Sequence, residues 1–172
     1  MLRTRPKILL LIAVLTAATV GCGVKVPIEP TAPANTEAGE VSFELAGPGG
    51  AAIIVPVQIN GQGPFNFVLD TGATLTCIDH KLVEQLKLPE QKGVFGAGAT
   101  VRGEGNVKLV SINSLKVGTA TATDLNGCSI DLGNLQAIGA DVKGLLGLSF
   151  LKSFKLTIDF ERKVLQLQKP SG

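Results

Sequence analysis

The chain has 172 residues, of which 45% are hydrophobic and 4% aromatic, and it contains 21 glycines but no Trp or Tyr. Of its net charge of +2, residues 1–21 carry +3, which leaves −1 for the remainder. A near-neutral remainder with few aromatic side chains lacks the basic surface and stacking groups of nucleic-acid-binding proteins. The many glycines and the Val, Ile and Leu content favour a β-rich domain with tight turns.

The N-terminus has the order of a secretory signal peptide, residues 1–22. Basic residues precede a mostly apolar run over residues 8–20, and small residues precede Cys22. The end of this segment resembles the lipobox of bacterial lipoproteins, although Thr19 stands where Leu is usual. Lipidation of Cys22, simple cleavage and an uncleaved anchor all stay open. Each puts the domain outside the cytoplasm, and we expect a membrane-tethered lipoprotein of the cell envelope, periplasmic or on the outer surface.

Residues 23–40 are predicted to be a linker, because three prolines interrupt them and no apolar periodicity is present. The folded domain is predicted over residues 41–172. Its first strands are expected at the alternating or apolar runs 41–45, 51–59, 65–69 and 75–78. Asn60-Gly61 predicts a hairpin turn within this set.

Asp79 is a predicted N-cap for a helix over residues 80–87, with the single histidine, His80, solvated in its first turn. Further strands are expected at 107–117, 120–132, 144–147, 156–160 and 164–167, with a short helix at 149–154. The sequence shows no internal repeat of 20–50 residues. The pattern predicts an all-β, closed architecture with one or two short helices.

Several catalytic classes are excluded by the residues present. One histidine cannot build a multi-histidine metal site, and no G-x-S-x-G elbow or phosphate-binding loop occurs, so no metal or cofactor is predicted. Gly96-Ala97-Gly98 is not a dinucleotide fingerprint, because Val101 replaces the third glycine. If Cys22 carries lipid, Cys77 and Cys128 remain as an even pair, either disulfide-bonded in an oxidising compartment or buried as free thiols.

The remaining candidate is Asp70-Thr71-Gly72, which directly follows an apolar strand. By itself an Asp before a glycine turn is ordinary turn chemistry. The whole stretch 59–73, however, resembles the entry into the active site of retropepsin-like aspartic proteases, in particular the bacterial enzymes related to retroviral ones. A second motif, Gly144-Leu145-Leu146-Gly147-Leu148-Ser149-Phe150-Leu151, is similar to the apolar strand and short helix that pass behind that loop in this family.

This resemblance covers about residues 41–168 and implies a retropepsin-like closed β-barrel, the acid protease fold with one lobe per chain. It implies that Asp70 is catalytic, that Thr71 hydrogen-bonds across to an opposing loop, and that Gly72 permits close backbone approach. Ala73 would leave room for an extended peptide or protein substrate. The glycine-rich segment 93–105, with Gly96, Ala97 and Gly98, would be the flap over that substrate; a plain surface hairpin is the alternative.

Only one D-T-G is present, so the resemblance implies a homodimer in which Asp70 of each copy forms one catalytic dyad. Asp131-Leu132-Gly133 has the right spacing but a bulky Leu at the hydroxyl position, and it is rejected as a second half-site. Asp141 and Asp159 are expected to be structural or surface charges. Strand 164–168 is the expected interface contributor. The alternative function is a non-catalytic envelope lipoprotein of the same fold that binds a peptide or a partner.

Overall fold

A closed barrel of six strands is the centre of the fold in the computed structural model, which describes residues 39–91 and 107–170. In chain order the strands are β1 Glu40–Ser42, β2 Glu44–Ala46, β3 Ala52–Ile59, β4 Gln62–Leu69, β5 Thr76–Asp79, β6 Glu90–Gln91, β7 Lys108–Val117, β8 Ala120–Ile130, β9 Val142–Leu146, β10 Lys155–Asp159 and β11 Val164–Gln168. The helices are α1 His80–Leu86 and α2 Leu148–Leu151, and the 3-10 turns are Pro48–Gly50 and Gly133–Ile138.

The barrel order is β3-β4-β9-β5-β8-β7, and β7 closes the ring by pairing with β3. Strands β2 and β6 extend it at the outside of β3 and β7. The predicted all-β closed barrel with one or two short helices is confirmed, and residues 39–91 and 107–170 contain two α-helices. Among the described residues, neither helix is long and apolar enough to cross a bilayer.

The barrel consists of two halves with the same topology, although the sequence shows no repeat. Each half is a hairpin, an aspartate turn, a further strand and a helix: β3-β4-β5-α1 and β7-β8-β9-α2. Exchanging the halves leaves the strand order unchanged, because β4 pairs parallel with β9 as β8 pairs parallel with β5. The equivalent strands β5 and β9 pair antiparallel, as do β3 and β7. The pairing of the two halves is therefore that of an approximate two-fold rotation.

The alternation read from the sequence gives the fold a core of aliphatic and phenylalanine side chains. Its largest fully buried members are Phe67, Phe150, Ile59, Ile78, Ile112, Leu115, Leu146 and Leu165. Because β-branched and aromatic side chains pack well across neighbouring strands, the apolar runs become barrel strands. The helices cover the core through Leu82, Val83 and Leu86 of α1 and through Phe150 and Leu151 of α2.

Two local predictions are confirmed by backbone geometry. Asn60 and Gly61 both have positive φ, 51° and 77°, as the two central residues of a type I′ hairpin turn require. Asp79 Oδ1 accepts a hydrogen bond from the Lys81 amide at 3.0 Å, so it caps α1 as expected. His80, in contrast, is half-buried rather than solvated, and its Nδ1 is hydrogen-bonded to Ser129 Oγ.

The predicted strand 41–45 is split at Phe43 into β1 and β2, which belong to different sheets. β1 joins β11 and β10 in a small three-stranded sheet, order β1-β11-β10. Phe43 is buried at the split and makes an edge-on contact with Phe160. The Glu40 carboxylate, 1% exposed, is held by both terminal nitrogens of Arg162 at 2.8 Å and by Gln166 Nε2 at 2.8 Å.

One expectation for the C-terminal region needs correction, and the pairing of β11 bears on a second. The short helix expected at 149–154 begins one residue earlier, because Gly147 O accepts its first hydrogen bonds, from the amides of Phe150 and Leu151. It ends after one turn, at Leu151. Both edges of β11 are paired within the chain, to β1 and β10. β1 covers Val164–Gln166 on one edge and β10 covers Val164–Gln168 on the other, so these paired edges are not open to a second copy. The contribution of strand 164–168 to an interface stays a prediction.

Candidate active site

The aspartate turn at Asp70 lies where three barrel strands meet. Asp70 directly follows β4, and residues 70–75 lead from β4 to β5. Strand β9 runs between these two strands, parallel to β4 and antiparallel to β5. The loop therefore crosses the end of β9, and the second sequence motif lies directly behind the first.

Main-chain hydrogen bonds fix the loop to the segment that leaves β9. The Asp70 amide donates to Leu146 O at 3.0 Å, and the Leu148 amide donates to Ala73 O at 2.8 Å. The Ser149 amide donates to Thr74 O at 3.0 Å. These hydrogen bonds between the main chains of the two motifs hold the Asp70 loop in place. The sequence resemblance predicted that the two motifs lie next to each other.

The Asp70 carboxylate is oriented by a hydrogen bond within its own turn. Its Oδ1 accepts a hydrogen bond from the Gly72 amide at 2.8 Å, and a Cβ at residue 72 would lie 3.2 Å from this oxygen. Asp70 is half-buried, whereas Thr71 and Gly72 are exposed and Ala73 is half-buried. The loop therefore presents a carboxylate beside an open, uncharged surface.

Close packing behind the loop explains two glycines of the second motif. At Gly147 a Cβ would lie 2.8 Å from Ala73 O and closer still to Leu75 O. At Gly144 a Cβ would overlap the ring of Phe67 and lie 2.6 Å from Cys77 O. Both positions need glycine for lack of space: a side chain at residue 147 would collide with the loop, and one at residue 144 would collide with the neighbouring strands β4 and β5.

Thr76 and Ser149 support the loop and were not identified from the sequence. Thr76 is fully buried at the start of β5; its amide donates to Ser149 Oγ at 2.9 Å. Thr76 Oγ1 accepts from the Gly147 amide at 3.2 Å and from Ser149 Oγ at 3.2 Å. The available signal was a hydroxyl in an apolar strand, since a buried hydroxyl requires a hydrogen-bond partner.

A disulfide joins Cys77 of β5 to Cys128 of β8, directly after Thr76. The two residues are register partners on parallel strands, with a Cα–Cα distance of 4.4 Å. Both are almost fully buried. Of the two alternatives left open by the sequence, the structure has the bonded one, and the bond ties the floor of the candidate site to the neighbouring strand.

Asp131 has the same local geometry as Asp70 in the other half of the barrel. It directly follows β8, and its Oδ1 accepts from the Gly133 amide at 2.8 Å. Leu132, however, is buried in the core, unlike the exposed Thr71. Asp141 forms an ion pair with Lys143 at 2.8 Å, and Asp159 Oδ1 accepts from the Arg162 amide at 2.9 Å.

The other predicted site residues, Cys22 and the flap residues Gly96, Ala97 and Gly98, lie outside the described residues. The strands that flank the flap segment, β6 and β7, are antiparallel neighbours. An exposed ion pair between Glu90 Oε1 and Lys108 Nζ, 2.8 Å, joins them. The hydrogen bond to Glu90 and its charge raise the pKa of the Lys108 ammonium group.

Comparisons with known proteins agree with this arrangement. A family profile described as aspartyl protease matches residues 55–150, which is more than half of the chain and includes the first motif and all but the last residue of the second. No curated protein matches the chain significantly. Among solved structures, a retropepsin-like aspartic protease from Rickettsia conorii is similar, with 25% identity and a TM-score of 0.51 over 77% of this chain and 92% of that one. The retroviral protease-like domain of Ddi1 from Leishmania major has 17% identity and a TM-score of 0.43 over 70% of this chain and 94% of that one. The chain belongs to the retropepsin-like aspartic protease family.

Proposed function

We propose that the chain is an aspartic endopeptidase that acts as a homodimer, with Asp70 of both copies forming one catalytic dyad. The observation that carries this proposal is the single D-T-G turn beside an exposed, uncharged loop. The Asp70 amide is bonded to Leu146 O, and the half-buried carboxylate accepts from the Gly72 amide. The equivalent turn at Asp131 has the core side chain Leu132 in the place of Thr71. One chain therefore supplies one half of the site.

The chemistry follows from bringing two such carboxylates together. At about 3 Å, two negative charges repel by about 5 kcal/mol at an effective dielectric constant near 20. The pair therefore holds one proton, which makes one carboxyl group an acid and the other a base. The base takes a proton from a bound water, the water attacks the peptide carbonyl, and the acid stabilises the oxyanion that forms. Thr71 of each copy would bond across to the other loop.

We further propose that the enzyme works outside the cytoplasm, tethered to a membrane through Cys22 or an uncleaved N-terminal segment. The basic-then-apolar order of residues 1–22 supports export. The disulfide between Cys77 and Cys128 supports it independently, because disulfides persist in oxidising compartments and are rare in the cytoplasm.

The test compares Asp70→Asn with Asp131→Asn in the full-length chain. Both aspartates accept a hydrogen bond from a glycine amide at 2.8 Å, and the Asn side-chain oxygen can accept the same bond. The two variants therefore make the same local change, but only one removes the proposed catalytic group. Cleavage of a mixed peptide pool is measured from pH 4 to 7 at several protein concentrations.

We expect Asp70→Asn to lose at least a hundredfold in rate, in line with loss of an acid–base group. Asp131→Asn should keep its activity, and wild-type activity should rise faster than linearly with protein concentration. Cleavage that is equal in wild type and Asp70→Asn would refute the catalytic role. A folded, dimeric wild-type protein that cleaves nothing would favour the alternative function, binding of a peptide or partner without hydrolysis.

A further inference from the structure

We propose that Leu148 is a contact of the homodimer, buried against a second copy of this chain when the two Asp70 side chains meet. The inference rests on the proposed function, because it assumes a carboxylate pair built from two copies. Its starting observation is that Leu148, the first residue of α2, is 39% exposed. It is one of three large apolar side chains that are exposed within residues 39–91 and 107–170.

Leu148 lies close to Asp70 through a short path of hydrogen bonds. The Ala73 amide donates to Asp70 O at 3.3 Å, and the Leu148 amide donates to Ala73 O at 2.8 Å. Only the main-chain atoms of Ala73 lie between these two bonds, so Asp70 O and the Leu148 amide nitrogen lie within about 10 Å of each other. A standard interface covers about 800 Å² per partner, a disc of about 16 Å radius, so Leu148 lies within the reach of an interface centred on Asp70.

The composition around Leu148 suits an interface core. Residues 71–75 and 147–151, the loop and the segment hydrogen-bonded to it, contain no charged side chain. Depletion of charge is the compositional mark of the buried centre of a protein–protein interface. The carboxylates of the two Asp70 residues would be the charged groups at the centre of this surface, and there they would share a proton.

The main chain at Leu148 favours a second copy over an extended substrate. Its amide is bonded to Ala73 O, and its carbonyl accepts from the Lys152 amide at 3.2 Å. A peptide that binds in extended form obtains its affinity from main-chain hydrogen bonds to the protein. Leu148 has both main-chain groups engaged within its own chain and offers only an apolar side chain, which side chains of a second copy can bury.

The test measures dimerisation of the full-length chain in mild detergent by energy transfer between donor-labelled and acceptor-labelled copies. Leu148→Ser removes the apolar surface, whereas the matched control Leu148→Met keeps it at similar volume. In the Leu148→Ser dimer each copy no longer buries the apolar surface of a leucine that is 39% exposed in the single chain. The dissociation constant should therefore rise about tenfold to fiftyfold. Leu148→Met should change the dissociation constant less than about threefold, and circular dichroism verifies that both variants fold.

Each other outcome overturns the proposal. An unchanged dissociation constant for Leu148→Ser would remove Leu148 from the interface, and a raised KM with unchanged dimerisation would make it a substrate contact instead. Equal weakening by both variants would attribute the effect to the fold around α2. Asp70-dependent cleavage by wild-type dimers, together with unchanged dimerisation of Leu148→Ser, would refute this inference alone. A wild-type chain that stays monomeric at every concentration would refute the proposed dyad itself.

Discussion

Reduction of the disulfide is expected to lower the stability of the domain by a measurable amount. Cys77 and Cys128 are separated by 51 residues, so the bond closes a long loop in the unfolded chain. The chain-entropy relation gives about 4 kcal/mol for a loop of this length. With a urea dependence of about 2 kcal/mol per molar, the unfolding midpoint should fall by about 2 M when the thiols are reduced.

The assay is urea unfolding of the full-length chain with and without a phosphine reductant. Because the chain has no Trp or Tyr, far-ultraviolet circular dichroism is the suitable signal. The double variant Cys77→Ala/Cys128→Ala serves as control, since its midpoint should not respond to the reductant. Identical wild-type midpoints in both conditions would refute the reasoning. So would thiol titration in urea that finds Cys77 and Cys128 free before any reductant is added.

Two further substitutions test the packing behind the site and the small sheet. Gly147→Ala should cost about 1–3 kcal/mol in urea unfolding and reduce peptide cleavage, because its Cβ would meet Ala73 O and Leu75 O; unchanged stability would contradict the close packing. Arg162→Met should cost about 3 kcal/mol at neutral pH, because the buried Glu40 carboxylate loses its guanidinium partner. The double variant Glu40→Gln/Arg162→Met should recover part of this loss, and a double variant as unstable as the single one would contradict the role of the charge.

The parts of the fold that local chemistry determines were predictable from the sequence. The Asn60-Gly61 turn and the Asp79 cap depend on a few adjacent residues, so their patterns indicated them directly. The location of Asp70 in the first motif, at the end of an apolar strand, followed from the family resemblance. In each case the information lies within a short stretch of chain.

The parts that depend on long-range pairing were not predictable. The alternation of Val41, Phe43 and Leu45 is continuous, yet β1 pairs with β11, more than a hundred residues away, whereas β2 pairs with the adjacent strand β3. Thr76 and Ser149 are 73 residues apart in the sequence, and no local sequence pattern predicts a contact between residues so far apart. Likewise, the sequence left the state of Cys77 and Cys128 open, because only the register of β5 on β8 brings them together.

The two-fold relation between the halves of the barrel means that neither half is a folding unit. In each half the hairpin continues into a strand, β5 or β9, that bonds to strands of the other half rather than to its own hairpin. Alone, residues 39–91 would leave both edges of β5 unpaired, and residues 107–170 would do the same to β9. Each half therefore depends on the other for the hydrogen bonds of its third strand. Two separate fragments would therefore be expected to reassociate with each other rather than to persist apart, and cooperative unfolding of the whole barrel follows from the same exchange of strands.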